Sequence, residues 1–181
     1  MKYTTIKKNY SFLLKRVLHI FFKMNILILG MPNVGKTSLY NIISDNEKNI
    51  IHNTIGTTRD WHTSPLVTNN QINIYDTPGI INTNNSIEKK IIKLINNIDI
   101  FLYVIDYKSE HFDNDISLLK LLRKFGKEIL LIVNKDDNYK KNKDFNYFGL
   151  KNIFFISCSH KLGIQELLNF LNKYEPIKEN T

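Results

Sequence analysis

The sequence predicts an α/β fold in which a mostly parallel sheet of six strands carries helices on both faces. Three observations lead to this prediction. Strand-like and helix-like segments alternate from Met24 onward, as they do around parallel sheets. A loop of the form Gly-x-x-x-x-Gly-Lys-Thr joins the first strand-like segment to the first helix-like segment. The chain has 181 residues, enough for one such domain and too few for two. We expect one domain over residues 24–175, an extension over 1–23 and a tail over 176–181.

The loop after the first strand has the composition of a phosphate cradle. Gly30 and Gly35 let the backbone pass close to phosphate oxygens. The loop N–H groups and the N-terminus of the following helix attract anions. Lys36 can reach the β- and γ-phosphates, and the Thr37 hydroxyl can ligate Mg²⁺. The residues expected to contact the nucleotide phosphates are Gly30, Asn33, Val34, Gly35, Lys36, Thr37 and Ser38.

The other elements follow from the hydrophobic pattern. Residues 45–65 are polar and aperiodic, so we expect a long loop there. Asn69-Asn70 separates the short runs 66–68 and 71–75, which predicts a hairpin turn and one antiparallel edge strand. The remaining strands are expected at 25–29, 100–105, 129–133 and 153–156, and the helices at 36–44, 86–97, 115–125, 137–145 and 163–174.

A second motif, Asn134-Lys135-Asp136-Asp137, follows an apolar strand and suits recognition of guanine. The Asp137 carboxylate can accept both the N1–H and the exocyclic amine of guanine, and adenine lacks this pair of donors. Asn134 can bond N7 and support neighbouring loops, while the stem of Lys135 covers the face of the base. Backbone N–H groups that can meet guanine O6 come from Ser157, Cys158 and Ser159. We expect Cys158 to be a packing residue rather than a nucleophile.

Two further clusters suit Mg²⁺ and the γ-phosphate. Asp76 ends a strand, and its carboxylate can hold Mg²⁺ through a water molecule, while the N–H of Gly79 can meet the γ-phosphate. The long loop contains Thr57 and Thr58. We expect Thr58 to complete the Mg²⁺ shell when a γ-phosphate is present, so that this loop acts as a switch.

Hydrolysis of the bound nucleotide needs further groups, because Ile80 stands where some GTPases carry a water-orienting glutamine. Asn33, with carbonyls of residues 53–56, can hold a K⁺ ion that offsets charge between the β- and γ-phosphates. Its alternative role is that of a loop cap. Glu88 can orient water, or it can simply cap a helix. The candidate catalytic residues are therefore Asn33, Lys36, Thr58, Gly79 and Glu88.

Charge is concentrated at the start of the chain. The net charge is +8, and residues 1–23 hold six basic residues and no acidic one. This amphipathic stretch is an organelle-targeting presequence, a basic arm for RNA or a membrane surface, or sequence upstream of a true start at Met24. The remainder is too evenly charged to be a nucleic-acid module on charge alone. No apolar run is long enough to span a bilayer, and we expect a cytoplasmic protein, or an organellar one if the presequence alternative holds. Cys158 is the only cysteine, which excludes an internal disulfide.

With these residues in place, the chain resembles the translation-associated bacterial GTPases of the Der (EngA), Era and TrmE families. The likeness extends over about residues 25–174 and rests on the Gly-x-Pro-Asn-x-Gly-Lys loop and the Thr-Arg-Asp switch. Segments 121–135, 147–150 and 156–168 look most like the first GTPase domain of Der. The resemblance implies a Ras-like G domain that hydrolyses GTP to GDP with Mg²⁺, and with K⁺ held through Asn33. It also implies a role in assembly of the large ribosomal subunit, with that subunit or its rRNA as partner.

Two departures leave alternatives open. Residues 56–60 look more like TrmE, and Glu88 stands twelve residues after Asp76, as does that family's proposed catalytic glutamate. One alternative is therefore a tRNA-modification GTPase that needs a partner chain. Another is a guanine-nucleotide-binding adaptor that does not hydrolyse GTP, which Ile80 favours. We expect GTP and GDP as ligands in each case.

Overall fold

The computed structural model describes residues 23–44, 62–76 and 95–174, and all structural statements below refer to these ranges. Their strands are β1 (Met24–Gly30), β2 (His62–Leu66), β3 (Asn69–Asp76), β4 (Ile100–Asp106), β5 (Glu128–Asn134) and β6 (Asn152–Phe155). Their α-helices are α1 (Lys36–Ile43), α2 (Asp113–Leu122) and α3 (Ile164–Lys173). Short 3₁₀ helices follow at Arg123–Phe125 and Asn146–Phe148.

The six strands form one sheet in the order β2-β3-β1-β4-β5-β6. Strand β2 runs antiparallel to β3, and the other pairs are parallel. The prediction of a mostly parallel, six-stranded α/β sheet is therefore confirmed. Because β1 lies between β3 and β4, the loop that follows it lies beside the ends of both neighbours.

Alternating residues of the central strand β1 support two separate cores. Ile26 and Ile28 pack in the core that includes α1 and α3, whereas Leu27 and Leu29 pack in the core that includes α2. This arrangement follows from the two-residue period of a strand and explains why β1 is apolar without interruption. Helices on both faces bury the sheet and leave its carboxyl edge for polar residues. The residues at that edge include Gly30, Asp76, Asp106, Asn134 and Ser157.

The hairpin lies at a different position from the predicted one. Leu66 pairs with Asn69, so the turn residues are Val67 and Thr68. Asn69 and Asn70 instead begin β3, and β2 occupies the last residues of the segment predicted to be a loop. Leu66 is fully buried, and the N–H of Val67 donates to the carbonyl of Ile43. Burial of Leu66 and this contact with α1 fix the register, whereas the turn propensity of Asn-Asn does not.

The predicted helix at 137–145 is wrong. Tyr139 and Lys141 both have φ of 49°, which a right-handed helix does not allow. The carboxylate of Asp136 accepts hydrogen bonds from the backbone N–H groups of Lys140 and Lys141, at 3.1 and 3.0 Å. An acidic side chain that captures the following N–H groups competes with helix formation. The segment consists of turns and bends up to the 3₁₀ helix at Asn146–Phe148.

Candidate nucleotide-binding site

The phosphate loop between β1 and α1 depends on its two glycines. Gly30 has φ of 144°, and a Cβ there would lie 2.2 Å from the carbonyl oxygen of Val104 on β4. Gly35 has φ of 95° and precedes the first residue of α1. Both positions therefore exclude larger residues, by close approach as well as by backbone conformation. The loop lies directly against the neighbouring strand, with its N–H groups at the start of the helix.

Lys36 folds back over this loop. Its Nζ donates hydrogen bonds to the carbonyls of Gly30, at 3.0 Å, and Met31, at 2.6 Å. Burial lowers the pKa of Lys36, while the nearby charge of Asp76 acts in the opposite direction. The ammonium group is thus held at the mouth of the loop, where an anionic oxygen can replace either carbonyl as its partner.

Thr37 and Asp76 form a pair suited to a hard cation. The hydroxyl of Thr37 donates to Oδ2 of Asp76 at 3.0 Å. The other carboxylate oxygen, Oδ1, is buried and has no hydrogen-bond partner among the described residues, and Asp76 is only 4% exposed. A buried, unpartnered carboxylate oxygen beside a hydroxyl is a donor set that Mg²⁺ prefers. The described ranges contain no cluster of three or more His, Cys, Asp or Glu residues.

Asn134 ties the base motif to the phosphate loop. Its Nδ2 donates to the carbonyl of Val34 at 2.9 Å, and its Oδ1 accepts from the N–H of Cys158 at 3.1 Å. The side chain is 2% exposed, so these bonds lie out of water. Three loops, after β1, β5 and β6, are therefore held together by one amide.

The carboxylate of Asp137 is already surrounded by donors. Its Oδ1 accepts from the hydroxyls of Ser157, at 2.8 Å, and Ser159, at 3.1 Å, and its Oδ2 lies 2.7 Å from Nζ of Lys108. The hydrogen bond from Lys108 lowers the pKa of Asp137 to about 2, and the hydroxyl of Ser157 acts in the same direction. The carboxylate stays ionised at neutral pH, as acceptance of two guanine donors requires.

Lys135 joins the phosphate loop to the end of β4. Its Nζ donates to the carbonyl of Asn33 and to Oδ2 of Asp106, both at 2.7 Å. Asn33 is exposed with φ of 64°, and its side-chain amide makes no hydrogen bond to the part of the chain that the structure describes. The carbonyl of Asn33 is thus fixed while its amide remains available to a ligand.

Sequence reasoning missed two residues of this site, Asp106 and Lys108. Asp106 ends β4 at the same edge as the predicted residues, and its Oδ1 accepts the N–H of Lys108 at 2.8 Å. A charged residue directly after a buried strand was the available signal. No motif includes Lys108, which reaches the site from a turn. An open pocket of about 380 Å³ lies beside the base motif and is lined by Tyr107, Lys108, Lys135, Asp136, Asp137, Asn138, Lys140, Asn142 and Lys143.

Of the remaining predicted site residues, two lie within the described ranges and four lie outside them. Ser38 lies exposed in the first turn of α1, and no hydrogen bond links it to the other site residues described. Cys158 is half-buried, and burial raises the pKa of its thiol to about 11, as expected for a packing residue. Four residues predicted to bind or act on the γ-phosphate lie outside the described ranges: Thr57, Thr58, Gly79 and Glu88.

This geometry is that of the P-loop GTPases. A family model described as 50S ribosome-binding GTPase matches residues 25–135, more than half of the chain. The chain belongs to this 50S ribosome-binding GTPase family. The predicted membership of a GTPase family is therefore confirmed.

Curated relatives named GTPase Der match over most of the chain. The protein of a Nitratiruptor species is 38% identical over 161 residues, which are 85% of this chain and 35% of the relative. The protein of Nautilia profundicola is 35% identical over 167 residues, which are 87% of this chain and 36% of the relative. The resemblance to a Der G domain is thus confirmed. The chain spans about a third of the length of these relatives.

Solved structures agree on the fold. The cytosolic domain of the T. maritima FeoB iron transporter in a GDP form gives a TM-score of 0.67 at 25% identity, with 86% of this chain and 65% of that chain covered. The isolated G domain of T. maritima FeoB gives a TM-score of 0.66 at 24% identity, with 84% of this chain and 98% of that chain covered. These similarities support the Ras-like architecture. In the described ranges, no helix combines the length and apolarity needed to cross a membrane.

Proposed function

We propose that the chain binds GTP with Mg²⁺, hydrolyses it to GDP with the help of K⁺, and serves assembly of the large ribosomal subunit. The observation that carries the proposal is the hydrogen bond between Asn134 and Val34, because it joins the base motif to the phosphate loop. A nucleotide that contacts both would be held in one orientation. Such fixed positioning is the main contribution of a protein to phosphoryl transfer.

The proposed roles follow from the described contacts. Lys36 would exchange its two carbonyl partners for β- and γ-phosphate oxygens, and the loop N–H groups would receive the remaining charge. Thr37 and Asp76 would hold Mg²⁺, which when bound neutralises charge on the phosphate oxygens. The amide of Asn33 makes no hydrogen bond within the described ranges, which supports its proposed contact with K⁺. The roles assigned to Thr57, Thr58, Gly79 and Glu88, in closing the site and orienting water, remain proposals from the sequence.

The ribosomal role is supported by the family description and by relatives named GTPase Der. Since the chain matches only about a third of those relatives, the partner is proposed for the G domain rather than for a whole Der protein. A ribosomal partner would place the chain in the cytoplasm, or in an organelle with its own ribosomes.

The test is GTP turnover by the full chain with Mg²⁺ in KCl and in NaCl, with and without large ribosomal subunits. We expect turnover that KCl stimulates, and further stimulation by the subunits. Asn33→Ala should abolish the difference between the two salts. Asn169→Ala, which removes an exposed amide on α3, should retain that difference.

Each component of the proposal can fail separately. Tight GTP binding without turnover under all conditions would overturn the enzymatic proposal and favour an adaptor. Turnover equal in both salts would overturn the K⁺ assignment. Turnover unaffected by subunits would contradict the ribosomal partner. Binding that is equal with Mg²⁺ and with a chelator would contradict the roles of Thr37 and Asp76.

A further inference from the structure

Lys108 contacts the carboxylate that is proposed to recognise guanine. The distance between Nζ of Lys108 and Oδ2 of Asp137 is 2.7 Å. The lysine side chain is 63% exposed and that of Asp137 is 28% exposed, so the pair lies at the open side of the site. The turn after β4 directs the lysine there, because its N–H is fixed by Asp106. Asp106 is in turn paired with Lys135 at 2.7 Å.

The carboxylate of Asp137 has too few acceptor positions to bind Lys108, the two serine hydroxyls and guanine at the same time. An ionised carboxylate offers about four lone-pair positions. Three are taken in Asp137, by the hydroxyls of Ser157 and Ser159 and by the ammonium of Lys108. Guanine brings two donors, its N1–H and its exocyclic amine, and only one position is left. One existing donor must therefore leave when guanine binds.

Lys108 is the donor that leaves most easily. The hydroxyls of Ser157 and Ser159, 3.0 Å apart, are held within the loop after β6, where Ser157 also accepts the N–H of His160. Among the residues that the structure describes, Nζ of Lys108 has no partner besides Asp137, and its exposed ammonium can return to water. An exposed ion pair of this kind is weak and is screened by salt.

We propose that Lys108 and the guanine base compete for Asp137, so that Lys108 sets how tightly the site holds guanine nucleotides. This inference rests on the proposed function, since it takes Asp137 as the base-recognition residue. A competing group within the chain lowers apparent affinity by the fraction of molecules in which the site is blocked. For an exposed pair this corresponds to about a two- to fivefold effect.

The test compares GDP affinity of the full chain with that of Lys108→Met at low ionic strength, by titration of fluorescent GDP. We expect Lys108→Met to bind about two- to fivefold more tightly. The difference should shrink in about 1 M NaCl, where the Debye length falls to roughly 3 Å. Lys108→Arg retains a cation and should bind no more tightly than the original chain.

Lys143 provides the matched control. It lines the same pocket, but its Nζ donates to the carbonyl of Tyr107 at 2.8 Å rather than to a carboxylate. Lys143→Met removes the same charge without releasing Asp137, so it should tighten GDP binding less than Lys108→Met does. Equal tightening by both methionine variants would show a general effect of charge and would overturn the competition.

Asp137→Asn separates this inference from the proposed function. If Asp137→Asn retains its preference for GDP over XDP, the guanine assignment itself fails. If it shifts to XDP while Lys108→Met binds GDP no more tightly than the original chain, only the competition is overturned. We expect the shift to occur, and we expect Lys108→Met to add no tightening for XDP in the Asp137→Asn background, because the carboxylate charge is gone.

Discussion

The side-chain amide of Asn134, at the end of β5, donates a hydrogen bond of 2.9 Å to the carbonyl of Val34 in the phosphate loop. The same side chain accepts the N–H of Cys158. Asn134 and Val34 are a hundred positions apart in the sequence, yet the parallel sheet brings the ends of their strands to one edge. The loop that would bind phosphate and the loops that would bind the base therefore cannot move independently.

Asn134→Ala should lower both stability and nucleotide affinity. It leaves the carbonyl of Val34 and the N–H of Cys158 without partners, which costs about 2 kcal/mol of unfolding free energy. GDP affinity should fall by about tenfold, equivalent to ~1.4 kcal/mol. Urea denaturation and GDP titration measure the two effects.

Asn152→Ala is the control for this change. Asn152 begins β6, away from the site, and donates to Glu128 at 2.9 Å. Its removal should leave GDP affinity unchanged. A loss of affinity as large as that of Asn134→Ala would show that the loops respond to any weakening of β5 and β6.

Gly35→Ala should disrupt the phosphate loop more severely than the strain of placing alanine at a positive φ would by itself. A Cβ at Gly35 would lie 2.2 Å from Nδ2 of Asn134, so the substitution would break the same hydrogen bond. We expect GDP affinity to fall by at least about tenfold. Gly126 also has positive φ, 64°, but no described residue lies within 4 Å of a Cβ there.

Gly126→Ala therefore measures only the loss of stability caused by placing alanine at a positive φ. It should lower the unfolding free energy by about 1 kcal/mol and leave GDP affinity unchanged. If both alanine variants bind GDP as the original chain does, the close approach of Gly35 to Asn134 has no role in nucleotide binding.

Much of this architecture could be predicted because it depends on local pattern. The uninterrupted apolar run of β1 and the glycines of the loop are readable without tertiary information. The hairpin register cannot be predicted from local pattern, since burial of Leu66 and the contact between Val67 and Ile43 override the preference of Asn-Asn for turns. The false helix at 137–145 has a similar cause, because Asp136 captures the N–H groups that a helix would use.

The candidate site shows the same division. Their spacing and the strand before them predict motif residues such as Asn134 and Asp137. Asp106 and Lys108 belong to no motif, and their contacts arise only when the ends of β4 and β5 lie side by side. Pairing between strands that are distant in sequence is the information that a local pattern lacks.

Cys158 should react slowly with thiol reagents. Burial raises the pKa of its thiol to about 11, so the thiolate fraction at pH 8 is far below that of an ordinary cysteine. Alkylation by iodoacetamide at pH 8 should be about a hundredfold slower than in the urea-unfolded chain. Mass spectrometry measures the rate without ambiguity, because the chain has one cysteine.

The pH dependence gives a second check on Cys158. A thiol whose pKa is raised on folding contributes stability below its unfolded pKa, and this stability is lost as pH rises towards 11. The alkylation rate should therefore climb steadily between about pH 8 and pH 11. An early plateau near about pH 9 would contradict burial of the thiol.

The most direct test of a guanine-nucleotide site is the base preference of Asp137→Asn. Initial rates of GTP, ATP and XTP hydrolysis should be measured with Mg²⁺ for the original chain, for Asp137→Asn and for Asp144→Asn, an exposed acidic residue nearby. We predict that the original chain and Asp144→Asn prefer GTP, and that Asp137→Asn prefers XTP, because an amide offers a donor where xanthine has a carbonyl. Unchanged preference for GTP in Asp137→Asn would contradict the account.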